Sequence, residues 1–593
     1  MDLRVHSTPK GPMFRALILL CPFFMLAACG SGTVTHNSGI NPPTGGTPGG
    51  GGTPGGGLPT PPNPPPAITE VTLTGVVTYD LVPFSGTAGA GLDYASTRQA
   101  PVRGVTLEIN DFAAGTQLAT VTTDATGTYS VTVPANLVVQ VRVLAQMGNV
   151  RVLNNTDSDA QYDYVDPQFS SGAIEPRTRN VNIPSGWDGA AYTPALRKAA
   201  PFAILDDIYT AQQFMTTNVG AQTYPDLNVY WSPDNTATVN TGDFDTDRET
   251  GDIDTTQYAT EDVNDTGFPG IYVLGSDGDD TDEYDSDVII GTWFYTYLKT
   301  FSRDDTMYGS FEESLDLRSA YSQGWAFAFP LMVKGSSVYR DSSGAGQGSS
   351  DDADAEPNAV ANAGFYNPTS IASILYDLFD ANNDVTDVVS LPFSALNTVL
   401  TQDMPSTPAM TSIYPFANAL RVRQPAAAAQ VTALLAGQSI LAVDDFGTGE
   451  INNGGNVNNL PLYTNIAADD ANHPVRSIGS PDNYYNALGN RRYLRFVNPT
   501  ARVYTNIRAR STPTTGRDPE IFLWRNGQLI ASATNDSTVA GPGRPVGTEI
   551  LEVANLPAGE YVIEVYDSIN VYPDDPEDPA SFGNTLLTVR ISP

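Results

Sequence analysis

Val71-Thr72-Leu73-Thr74-Gly75-Val76-Val77-Thr78-Tyr79 sets apolar and polar residues on alternate positions, the two-residue period of a strand with one buried face. Val102-Arg103-Gly104-Val105-Thr106-Leu107-Glu108-Ile109 repeats the pattern. Thr123-Asp124-Ala125-Thr126-Gly127 then places a turn before another strand at 128–133. Beyond this the period changes. Residues 199–209, 284–301, 315–328, 370–379 and 426–435 carry helical spacing, while 228–231 and 271–274 are short strands between acidic loops. After residue 441 strands return at 493–497, 501–507, 520–524 and 529–533. The Asn526-Gly527 pair between two of them is a hairpin signal. The expected architecture is multidomain: an all-β sandwich over 67–155, an α+β domain over 156–440 and an all-β sandwich over 441–593.

The first strand region, with its T-D-x-x-G-x-Y-S-V segment at 123–131, resembles the carboxypeptidase-regulatory-like β-sandwich. The last, with Leu556-Pro557-Ala558-Gly559-Glu560-Tyr561, resembles the pre-peptidase C-terminal sandwich of secreted bacterial peptidases. Neither fold specifies an activity.

The N-terminus is read separately. Arg15 precedes the apolar run 16–25, which is too short to span a bilayer, and Leu26-Ala27-Ala28-Cys29-Gly30 follows. That quartet resembles the bacterial lipobox. The resemblance implies a signal peptide over 1–28, lipid on Cys29, and a membrane partner reached through that lipid. Gly30, standing where a retention signal would place Asp, favours the outer membrane, on the periplasmic or cell-surface side. Residues 29–66 are Gly/Pro-rich and cannot bury a core. They read as a tether, whose reach is about 115 Å if wholly polyproline II. Cys21 leaves with the signal, so the expected mature chain has no disulfide. A net charge of -36 disfavours nucleic acid as a partner.

In the centre, Asp280-Thr281-Asp282-Glu283-Tyr284-Asp285, Val288-Ile289-Ile290 and Phe301-Ser302-Arg303-Asp304-Asp305 resemble the surroundings of the active helix in gluzincin-type zinc metallopeptidases. In that family H-E-x-x-H supplies two zinc ligands and the base that activates water, and a second helix supplies a Glu. Carried over, the His positions hold Gly291 and Tyr295, the base position Thr292, and the third-ligand position Gln323. None can do the family's chemistry. The resemblance thus implies a pseudopeptidase in which zinc is not expected. Its former cleft would bind a peptide, a glycan or an envelope protein. The histidines are His6, His36 and His473, so the central region holds none for a zinc site or a Ser-His-Asp triad.

Carboxylate chemistry stays open. Asp243, Asp245 and Asp247 form one acidic run, and Asp277, Asp279 and Asp282 another. These hard oxygen ligands suit Ca²⁺, although neither run follows the full EF-hand loop. Two other functional classes remain in view: an active hydrolase using carboxylates or a metal bound without histidine, and a structural adhesin or spacer.

Overall fold

The structure, a computed structural model, describes residues 69–241, 243–260, 267–278, 280–306, 314–356, 360–381, 388–480, 485–572 and 582–592. The signal and tether, with Cys29, and the calcium candidate Asp279 lie outside the described residues.

The opening alternation becomes β1 (Glu70–Leu81), which buries Val71, Leu73, Val77 and Tyr79 on one face. It is joined by β2 (Val105–Asp111), β3 (Thr116–Thr122), β4 (Thr128–Pro134), β5 (Val138–Met147) and β6 (Val150–Asn154). β1 pairs antiparallel with β4, from Glu70↔Pro134 to Val76↔Thr128, and parallel with the strand Val181–Ile183. The chain leading into that last strand passes so close that a Cβ on Gly75 would lie 1.8 Å from the Arg179 carbonyl oxygen. Only glycine permits this approach.

The facing sheet runs β3-β2-β5-β6 and continues into β7 (Leu227–Trp231) and β8 (Gly270–Val273). β6 and β7 are parallel, Val150↔Leu227 to Leu153↔Tyr230, and so are β7 and β8. Parallel neighbours need a long crossover. Part of the one between β6 and β7 is the helix α1 (Ala200–Val219), which buries Phe202, Ile204, Leu205 and Ile208 and carries Asp206 to Tyr79 Oη at 3.0 Å. The expected division at residue 155 is therefore crossed by a sheet, by the pairing of β1 with 181–183, and by one apolar core running from Val71 into the helices. The local period shows each strand. It does not show which distant strand completes the sheet.

Helices α2 (Ser286–Phe301), α3 (Leu317–Lys334) and α4 (Pro368–Phe379) stack in that order. Each is buried on nearly every side, as a helix in the middle of a core is. Trp293 and Trp325, 1% and 0% exposed, fill this core, and Phe294 stacks on Phe329 at 4.0 Å. Among the described residues, no helix is long and apolar enough to cross a membrane. A hairpin follows α3, formed by β9 (Val338–Ser343) and β10 (Ser349–Asp354).

The C-terminal region folds as two sheets around their own core of Leu494, Phe496, Leu523, Ile563, Leu587 and neighbours. Asn526 and Gly527 take φ of 49° and 71°, the left-handed pair that a two-residue hairpin turn requires. A buried charge network ties this region to α3. Arg318 reaches Glu564 at 3.0 Å, Arg491 reaches the same carboxylate at 3.1 Å, and Tyr493 donates to Asp316 at 2.6 Å. The chain is thus strand-rich and built from several sheets.

Candidate metal centre

The two helices of the peptidase resemblance do lie side by side, and the carried-over positions lie along their contact. A Cβ on Gly291 would sit 2.4 Å from the Ala326 carbonyl oxygen, so glycine is what lets the helices close to this distance. Tyr295 follows Gly291 by one turn, and Gln323 precedes Ala326 by three residues, which puts each on the same helix face as its neighbour. Thr292, Tyr295 and Gln323 are all buried. Burial also raises the Tyr295 phenol above its usual range, with Asp304 adding repulsion. The helices are in close contact at Gly291, and the side chains beside it are buried.

The first acidic run is engaged by hydrogen-bond donors. Residues 244–250 form a short helix, Phe244–Thr250, and its carboxylates serve the local chain. Asp247, 2% exposed, accepts from the Thr241 amide at 2.8 Å and its hydroxyl at 2.7 Å, and from the Asn240 amide at 3.2 Å. Asp243 accepts from the Thr246 hydroxyl at 3.1 Å, and Asp245 from the Gly267 amide at 3.0 Å. The three carboxylates point to three different partners.

The second run behaves differently. Asp280-Thr281 pairs as a short strand with Gly275-Ser276, which turns the chain into α2 through Asp282–Asp285. Among the described residues, Asp280, Asp282 and Asp341 bring carboxylate oxygens within 4.8 Å of one another. Asp341 comes from β9, and beside it Ser342 donates its amide to Asp285 Oδ2 at 2.7 Å and its hydroxyl to both oxygens. Neighbouring acids are neutralised: Glu283 by Arg197 at 2.6 Å, Asp287 by Lys334 at 2.8 Å. Among the described residues, no Lys or Arg forms an ion pair with Asp282, Asp285 or Asp341. Asp282 is 3% exposed, its Oδ2 accepts from the Thr256 hydroxyl, and its Oδ1 accepts no hydrogen bond; nor does Asp341 Oδ1. Asp277 does not join this group. Its carbonyl accepts from the Gly346 amide at 3.3 Å.

Buried carboxylates without counter-charge are costly when ionised, so such a group holds either protons or a cation. Burial pushes Asp282 and Asp285 well above the usual carboxylate range, with Asp341 adding repulsion to both and Asp280 to Asp282 most strongly. Asp341 is pushed up to about 7, by burial first and then by Asp351 and Asp287. An oxygen-only set with this spacing fits the 2.3–2.6 Å bonds and flexible coordination of Ca²⁺. It lacks the nitrogen and sulfur ligands that zinc favours. Sequence reading found Asp282 but missed Asp341 as its companion. Its only signal was an acidic, serine-rich pair of strands 60 residues away.

No protein-family model matches this chain, and no curated protein matches it. Several solved structures show a weak likeness. A pre-peptidase C-terminal domain of a Bacillus anthracis collagenase has 13% identity, covering 22% of this chain and 94% of that one, with TM-score 0.14. CorA, a surface-associated copper-binding protein of Methylomicrobium album BG8, has 12% identity over 22% of this chain and 98% of its own, with TM-score 0.16. PliG of Aeromonas hydrophila, a periplasmic inhibitor of g-type lysozyme, has 14% identity over 22% and 96%, with TM-score 0.12. Likeness at this level assigns neither family nor activity.

Proposed function

We propose that this is a lipid-anchored cell-envelope protein that binds rather than cleaves, with Ca²⁺ held by Asp280, Asp282 and Asp341 bracing its central region. The observation that carries the cation reading is the convergence of those carboxylates, with Asp282 buried and no basic side chain paired to it among the described residues. The non-catalytic reading is supported by the closed contact of α2 and α3 at Gly291, in a region whose sequence has no histidine. The anchor rests on the lipobox resemblance around Cys29. A carboxylate-only hydrolase is the competing reading. The burial of Asp282 and Asp285 weighs against it, because a substrate would have to reach groups that solvent barely touches.

Calorimetric titration of chelator-treated protein with Ca²⁺, Mg²⁺ and Zn²⁺ tests the centre. Saturable Ca²⁺ heat with a rise in melting temperature supports it. Absence of both, or Zn²⁺ preferred over Ca²⁺, overturns it. Cys29→Ala should release the protein from the membrane fraction, and unchanged fatty-acid labelling of that variant would reject the anchor.

A further inference from the structure

We infer that the β9–β10 hairpin is a cation-dependent clasp, holding the loop after β1 against the central region while the centre is loaded and letting go when the cation is withdrawn. The inference rests on the cation reading above.

The hairpin is poorly made to stand alone. Its register sets Asp341 directly opposite Asp351, and like charges across a strand pair repel. β10 is exposed along almost its whole length, so it brings little apolar burial. An isolated two-stranded ribbon is marginal even without such repulsion. β9 is better held: Tyr339 packs edge-on against Phe327 of α3 at 4.9 Å, and the Arg340 amide donates to Asp287 at 2.9 Å. What is least held is β10 itself, since the turn before it is tied to the Asp277 carbonyl through the Gly346 amide.

β10 and its turn make the outward contacts. Leu92 donates its amide to the Gln347 carbonyl at 2.8 Å, Ser350 donates to the Gly89 carbonyl at 3.2 Å, and Gly89 donates to Asp352 Oδ2 at 3.0 Å. A Cβ on Gly91 would stand 2.0 Å from the Gln347 carbonyl oxygen, so the two backbones touch. Gly346 in the turn lies near Trp187, which stacks on Tyr94 at 3.9 Å. Docking also delivers Asp341 to a place where the buried Asp282 Oδ1 has no hydrogen-bond partner. A cation there answers both needs at once: it satisfies that oxygen and offsets the Asp341–Asp351 repulsion. Removing it leaves the repulsion and takes away one of the ties from β9 to the loop at 280–285, where Ser342 still donates to Asp285.

Hydrogen exchange by mass spectrometry on the full chain, with Ca²⁺ and with chelator, tests this alongside the calorimetric titration. Chelation should speed exchange at least tenfold in 344–354 and 85–92 while β2 stays protected. Trp187 emission should shift to the red, and Trp187→Phe should abolish that shift. Asp351→Asn should restore part of the protection in chelator, because it removes the opposed charge. Saturable Ca²⁺ binding with unchanged exchange in 344–354 and 85–92 would overturn the clasp and leave the centre standing. Loss of protection throughout the chain would also overturn it. No Ca²⁺ binding at all would remove the centre and the clasp together.

Discussion

Asp243-Phe244-Asp245-Thr246-Asp247 and Asp280-Thr281-Asp282-Glu283-Tyr284-Asp285 are close in composition and opposite in circumstance. In the first, Asp243 is met by Thr246 and Asp245 by the Gly267 amide, and Asp247 is spent on backbone and side-chain donors only six and seven residues away. In the second, Glu283 takes an arginine, but Asp282 is buried with an oxygen left over and meets Asp341 from a distant hairpin. Acid density alone therefore does not make a cation site. A site forms where burial prevents water from solvating the charge and the local chain fails to supply enough donors.

The sharpest way to break this contrast is Asp247→Ala. It removes the hydrogen bonds that the buried carboxylate accepts from Thr241 and Asn240, and should lower the unfolding free energy by about 3 kcal/mol. The loss measured in urea should be the same in Ca²⁺ and in chelator. A loss seen only with Ca²⁺ would make the first run a metal site after all.

Asp282→Asn is its counterpart. Wild-type protein at Ca²⁺ a hundredfold above Kd should gain about 2.7 kcal/mol, and the variant almost none. In chelator the variant should equal or exceed wild type, since an amide avoids the cost of a buried charge. Retention of the full Ca²⁺ increment would show that Asp282 is not a ligand.

Gly291→Ala probes a buried region whose packing involves no cation. The added methyl group would press on the Ala326 carbonyl, and overpacking of this kind costs about 2 kcal/mol. Thermal denaturation should show the loss equally with and without Ca²⁺. A wild-type melting temperature would mean that α2 and α3 can separate, reviving a cleft between them.

The pH response follows from the raised carboxyl of Asp341. An unfolded aspartic carboxyl ionises near its ordinary value of 3.8, whereas the folded Asp341 keeps its proton up to about 7. Between those values the folded state binds the extra proton. Stability in chelator should therefore fall as pH rises through this window, by at most about 1.4 kcal/mol per unit for a single group. Protons compete with the cation, so Ca²⁺ affinity should rise across the same window. Asp207, buried and also pushed up to about 7, contributes to the fall in chelator, so the difference between the two series isolates the centre. Ca²⁺ affinity that is flat from pH 5 to 8 would contradict it. The smallest effect belongs to Asp245→Asn, whose carboxylate meets a surface amide. It should change stability by less than about 0.5 kcal/mol and leave Ca²⁺ titration untouched.

Much of the local structure was legible beforehand. The alternation at 71–79 became β1, the run at 284–301 became α2 less two residues, and Asn526-Gly527 became the turn it signals. These features depend on neighbours within a few residues, where side-chain period and turn chemistry act directly. The long-range pairing across residue 155 was not legible, for the converse reason. Nothing near Val150–Asn154 reveals that its parallel partner is Leu227–Trp231. The candidate site divides in the same way, with Asp282 visible within its acidic run and Asp341 invisible as its companion.

The sequence by itself determined the periods of the strands and helices, the tether composition, the Cys29 motif, and the absence of histidine from the central region. Only the tertiary structure decided that Gly291 closes two helices together, that Asp247 is a structural acceptor, and that Asp280 and Asp282 meet Asp341. The physical reason is range. Backbone preference and side-chain alternation act over a few residues, whereas burial and the convergence of charges depend on segments that become neighbours only when the chain has folded.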